Sequence, residues 1–80
     1  MNLIVDIGNT RTKYAVFDNG CWVKCGLGLP EAYALATSYL KNSKEVNLIL
    51  SSTGAISEEV RERLRAVSTL FCELSSEIPL

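Results

Sequence analysis

The chain has 80 residues, nearly half of them hydrophobic, with eight basic and nine acidic side chains and no histidine. This composition predicts one small folded domain, near the lower size limit for a self-supporting core, and excludes disorder. A near-neutral charge balance offers no basic stripe for nucleic acid, and no run of eighteen apolar residues or charged leader marks a membrane span or signal peptide.

Cys21, Cys25 and Cys72 are odd in number, and Cys21/Cys25 lack a C-x-x-C spacing. They read as buried, reduced thiols of a cytoplasmic protein, not as a disulfide framework or zinc site.

The first element is an apolar run, Leu3-Ile4-Val5, closed by Asp6 and Ile7. It predicts a strand over roughly residues 2–7, central in a sheet and packed on both sides. Asp6, near its carboxyl end, is a conspicuous residue. A carboxylate buried there costs several kcal/mol unless paired or metal-bound, whereas at the mouth of a sheet it can face solvent and a ligand. The turn that follows, Gly8-Asn9-Thr10, is rich in donors. Gly8 lets backbone amides approach an oxyanion, Asn9 tolerates left-handed geometry, and Thr10 adds a hydroxyl. Lys13, on the returning strand of about 12–17, can reach back with a positive charge. Together these residues make a hairpin cradle for phosphate, with Asp6 holding a hydrated Mg²⁺. No G-x-x-x-x-G-K-[ST] occurs and no helix follows the turn, so this is not a Walker A loop. An ordinary hairpin turn containing an acid is the structural alternative.

Asp18-Asn19-Gly20 predicts a second tight hairpin, followed by a third strand over about 21–27 carrying Trp22. Pro30 and Glu31 suit the start of a helix, and Ala32, Leu35, Ala36, Tyr39 and Leu40 form its apolar stripe; Asn42 and Ser43 end it. A fourth strand over 46–50 empties into a Ser51-Ser52-Thr53-Gly54 loop, either a second ligand-facing turn or plain turn and cap residues. Ser57 caps a second helix with Glu58 and Glu59 in its first turn and Ile56, Val60, Leu64 and Val67 on its buried side. The pairs Glu58/Arg61, Glu59/Arg63 and Glu62/Arg65 read as a solvated helix face. A last strand over 70–74 precedes a tail from Ser75 to Leu80.

The element order is βββαβαβ. Right-handed crossovers place the fourth strand beside the first and the fifth beyond it. The expected fold class is therefore α/β, a mixed five-stranded sheet in order 3-2-1-4-5 with only strand 2 antiparallel. Ligands of such sheets bind beyond the carboxyl ends of the strands, which sets the Asp6–Thr10 turn and the serine loop at one edge.

Residues 1–17, with the pattern D-x-G-N-T-x-x-K formed by Asp6, Gly8, Asn9, Thr10 and Lys13, resemble the amino terminus of type III pantothenate kinases. That family belongs to the actin/hexokinase/sugar-kinase superfamily, and the resemblance extends across the 80 residues in element order. It implies a ribonuclease-H-like half-domain, 1–80, serving as the ATP/phosphate-binding amino-terminal part of a longer kinase. It further implies phosphorylation of pantothenate in coenzyme A synthesis, with ATP, Mg²⁺ and a monovalent cation (K⁺ or NH₄⁺) as cofactors, in a homodimer. The implied phosphate-site residues are Asp6, Gly8, Asn9, Thr10 and Lys13, with Asp6 on the metal through water. The resemblance sets the family's second domain, and the G-x-D-R stretch with its catalytic Asp, beyond Leu80, so no catalytic residue is named. Thr53-Gly54 stands where family members carry Val-Pro after the serines, so the resemblance assigns no role to Ser51 or Ser52. Another enzyme of the superfamily (a sugar kinase or an exopolyphosphatase-like phosphatase) and a non-catalytic association module are the competing expectations.

Overall fold

The computed structural model describes residues 1–8, 11–53 and 56–74. The tail expected from Ser75 to Leu80 lies outside the described residues. The elements are β1 (Asn2–Ile7), β2 (Thr12–Asp18), β3 (Cys21–Leu27), α1 (Leu29–Lys41), β4 (Asn47–Ser52), α2 (Glu58–Ala66) and β5 (Leu70–Leu74). They build one sheet in the order β3-β2-β1-β4-β5. β2 runs antiparallel to both β1 and β3, while β1, β4 and β5 run parallel. The expected α/β topology is thus the observed one. Asn19 and Gly20, both at positive φ, make the two-residue turn between β2 and β3.

Alternation along the strands decides where the core lies. Leu3, Val5, Tyr14, Val16, Leu48 and Leu50 share one face and are buried against Ala32 and Ala36 of α1 and Leu64 of α2. The two alanines let α1 approach the sheet closely. Asn42 caps this helix, its Nδ2 donating to the Ser38 carbonyl at 2.9 Å. In α2 the Ser57 hydroxyl accepts from the Val60 amide at 3.2 Å, as its N-cap position predicts.

Two sequence expectations fail on the opposite face. β1 is central, but among the described residues it is packed on one side only. Both helical crossovers carry the chain in the same direction across the sheet, and two right-handed crossovers of that kind put both helices on one face. No described element covers the other face, where register aligns Cys25, Ala15, Ile4, Ile49 and Cys72 in one row across all five strands. The three cysteines, expected to be buried, are free and exposed, Cys25 and Cys72 on this face and Cys21 at the start of the edge strand β3. Leu27, Leu70 and Leu74, at the edges of the sheet, are exposed as well.

The charge run on α2 is only partly a solvated face. Glu58–Arg61 and Glu62–Arg65 pair as the spacing predicts. Arg61 also reaches Glu73 of β5 in a two-point contact, Nε to Oε1 at 2.7 Å and Nη2 to Oε2 at 3.0 Å. Arg63 lies over the Tyr33 ring of α1, 4.6 Å from its centre, and among the described residues it makes no ion pair with Glu59. Spacing along one helix cannot show partners on other elements. The Arg61 guanidinium holds the Glu73 carboxyl below its ordinary range. A depressed folded-state value means stability that is present above the unfolded pKa and lost as pH falls through the folded one.

A second clamp fastens α1 to the meander. The Tyr14 ring lies across its register partner Gly26, so closely that a Cβ there would stand 2.5 Å from Oη and 2.7 Å from Cζ. Tyr14 donates its hydroxyl proton to the Glu31 carboxylate, which also pairs with Lys24 at 3.2 Å. Burial, then the bond to Glu31, pushes the Tyr14 hydroxyl up to about 12.

Three outcomes follow from these contacts. Gly26→Ala should lower unfolding stability by about 1–3 kcal/mol, the usual cost of overpacking, measured by urea denaturation. Between pH 7 and pH 3 the wild-type denaturation midpoint should fall more steeply than that of Glu73→Gln, which has no carboxylate to protonate at that position. The uncovered apolar face should drive concentration-dependent self-association in light scattering, and Ile49→Lys should reduce it.

Candidate functional site

The carboxyl ends of β1, β3, β4 and β5 gather at one edge of the sheet, beside the start of β2. Asp6 stands there as the fifth residue of β1. Its neighbours in register are Lys13 on β2 and Ser51 on β4. Paired residues project to the same face, so cation, carboxylate and hydroxyl form a row on the uncovered side. Asp6 and Lys13 are exposed and Ser51 is half-buried. Among the described residues, none of the three side chains has a hydrogen-bond or ion-pair partner. Asp6 therefore occupies the mouth of the sheet and faces solvent, the less costly of the two placements its sequence position allows.

Gly8 serves the turn itself. Its amide donates to the Arg11 carbonyl at 2.8 Å, and a Cβ would meet that oxygen at 3.1 Å. This amide is thus spent on closing the hairpin, and what Gly8 offers a ligand is a bare Cα surface. Asn9 and Thr10 lie outside the described residues, as does Leu80, beyond which the family resemblance sets the catalytic Asp. The structure brings Asp6 and Lys13 together and sets Gly8 just beyond them.

Sequence reasoning places Ser51 and Ser52 in a loop, but they are the last two residues of β4. The following amide, on Thr53, donates to the Ile7 carbonyl at 3.2 Å and ties the two strand ends together. A signal for this was present in the chain. β1 reads Asn-Leu-Ile-Val-Asp-Ile and β4 reads Asn-Leu-Ile-Leu-Ser-Ser, and the two align residue for residue in the parallel ladder. At the far end, Asn47 Nδ2 donates to Asn2 Oδ1 at 3.1 Å and fixes this register.

Both helices start at the same edge, since each follows a strand that ends there. Their amino-terminal dipole ends favour an anion, although Glu31, Glu58 and Glu59 in the first turns offset part of that field. Beside Asp6 and Lys13 a shallow depression of about 340 Å³ lies on Ile4, Ala15, Cys25 and Leu27.

The donor set limits the chemistry. Among the described residues no three His, Cys, Asp or Glu side chains come together to cage a metal ion. One exposed carboxylate beside a hydroxyl and a lysine fits a hydrated Mg²⁺ that keeps most of its waters and shares the site with phosphate. It does not fit the four-ligand closed sites of zinc or the oxygen-rich cage of calcium. No helix among the described residues is long and apolar enough to cross a membrane.

No protein-family model matches the chain. It is similar to a type III pantothenate kinase of Phocaeicola vulgatus, with 31% identity over 80 residues. That alignment takes in all of this chain and 33% of the relative, so the chain spans about a third of the length of the curated protein it matches.

Proposed function

We propose that residues 1–80 form the phosphate-binding part of a type III pantothenate kinase, an ATP-dependent enzyme that phosphorylates pantothenate in coenzyme A synthesis. The observation that carries this is the exposed Asp6 at the carboxyl end of the central strand, flanked by Lys13, in a chain similar along its whole length to such a kinase. In this role Asp6 holds hydrated Mg²⁺ through water, and Lys13 and the Gly8-Asn9-Thr10 turn receive the phosphates. Phosphoryl transfer is achieved mainly by positioning and by neutralising charge on the moving group, so these residues are the expected equipment. A bound Mg²⁺ would supply that neutralisation.

Among the described residues the sheet edge is one-sided. A kinase closes two surfaces around the phosphoryl group to clamp both reactants and exclude water. On this reading the second surface, the catalytic base, the pantothenate contacts and the monovalent-cation site come from outside residues 1–80.

The test separates binding from turnover. The 80-residue chain should bind ATP more tightly with Mg²⁺ than without it, and Asp6→Asn should lose that enhancement while keeping its circular dichroism and thermal midpoint. Pantothenate phosphorylation by this chain should stay at background. Binding that ignores both Mg²⁺ and Asp6→Asn contradicts the assignment. Robust Asp6-dependent phosphorylation would instead show that residues 1–80 carry the complete machinery.

A further inference from the structure

We infer that Ser51 is a further ligand-facing residue of this site, its hydroxyl accepting a hydrogen bond from water bound to the metal ion at Asp6. This rests on the phosphate-site function proposed above and adds to it a residue that no motif assigns.

The parallel ladder carries the inference. Ser51 is the register partner of Asp6, on the same uncovered face and on the adjacent strand. Neighbouring strands lie about 4.8 Å apart. A hydrated Mg²⁺ holds its waters at about 2.1 Å, and each water reaches a further 2.8 Å or so to an acceptor. A cation held through water at Asp6 therefore has part of its hydration shell within reach of the next strand. Lys13 occupies the matching position on the opposite side, so the carboxylate is bracketed by a cation and a hydroxyl.

Two further observations single out Ser51. Its side chain has no hydrogen-bond partner among the described residues, although it is half-buried. Adjacent Ser52 alternates onto the helix-covered face and has an interaction of its own. The alignment is also not free to slip. The Asn2–Asn47 bond and the burial of Leu3, Val5, Leu48 and Leu50 fix it, because a one-residue shift would turn Ser51 away from Asp6 and leucines toward solvent.

The test is calorimetric titration of ADP into the 80-residue chain, in Mg²⁺ and in excess EDTA, for wild type, Asp6→Asn, Ser51→Ala and Ser51→Thr. Ser51→Ala should weaken binding in Mg²⁺ by about three- to tenfold, the range for an ordinary hydrogen bond, and leave binding in EDTA unchanged. Ser51→Thr, which keeps the hydroxyl and suits a strand, should bind close to wild type. If Asp6→Asn abolishes the Mg²⁺ enhancement while Ser51→Ala retains it in full, the role of Ser51 is refuted and the proposed function stands. Equal losses in Ser51→Ala and Ser51→Thr also refute it, since the hydroxyl is then not the cause. Absence of ADP binding by wild type, or a Mg²⁺ enhancement untouched by Asp6→Asn, overturns the proposed function and the role of Ser51 with it.

Discussion

The parallel pairing of β1 with β4 is the constraint on which the rest depends. Four leucine and valine side chains from these strands, Leu3, Val5, Leu48 and Leu50, are buried in one layer beneath the helices. Each fully buried aliphatic side chain is worth about 1.5–3 kcal/mol relative to exposure, so a slip that exposed this set would cost most of the stability a domain of this size has. The same ladder decides which polar residues share the opposite face. Core packing and the juxtaposition of Asp6 with Ser51 are thus consequences of one alignment.

Placing both helices on one face has a second consequence. The helix-covered side is closed by apolar packing and by two polar clamps, Tyr14–Glu31–Lys24 at α1 and Arg61–Glu73 at α2. The other side keeps Asp6 accessible while leaving an apolar row beside it. A site at the carboxyl edge of a parallel ladder gains from this arrangement, since strand ends can present side chains while the layer beneath holds the backbone rigid.

Much of this was legible in the residues. Apolar runs bounded by Asn-Gly and by Pro gave all seven elements, and the crossover rule alone yielded the strand order. Asp6 and Lys13 were legible as a pair because both lie on one local hairpin. Ser51 was legible only as part of a loop at the same edge. That it stands on the strand, in register with Asp6 45 positions away in sequence, was not, because spacing along the chain does not fix a parallel register. The exposed cysteines were misread for a related reason: their type predicts burial, but only the common direction of both crossovers shows which face lacks a cover. Arg61 looked like a surface residue because its own helix supplies Glu58, while its two-point partner Glu73 stands on β5.

The central claim is that the carboxyl edge of the β1–β4 ladder receives a metal–phosphate group. Paramagnetic broadening of the amide spectrum by substoichiometric Mn²⁺ in the presence of ATP tests it most directly, because broadening falls off steeply with distance from the ion. The account predicts that the amides of Asp6, Ile7, Gly8, Lys13 and Ser51 broaden first, with the far end of the sheet at Asn2 and Asn47 unaffected. Broadening centred on the acidic turns of α2, around Glu58 and Glu62, with the Asp6 edge unchanged, would contradict it.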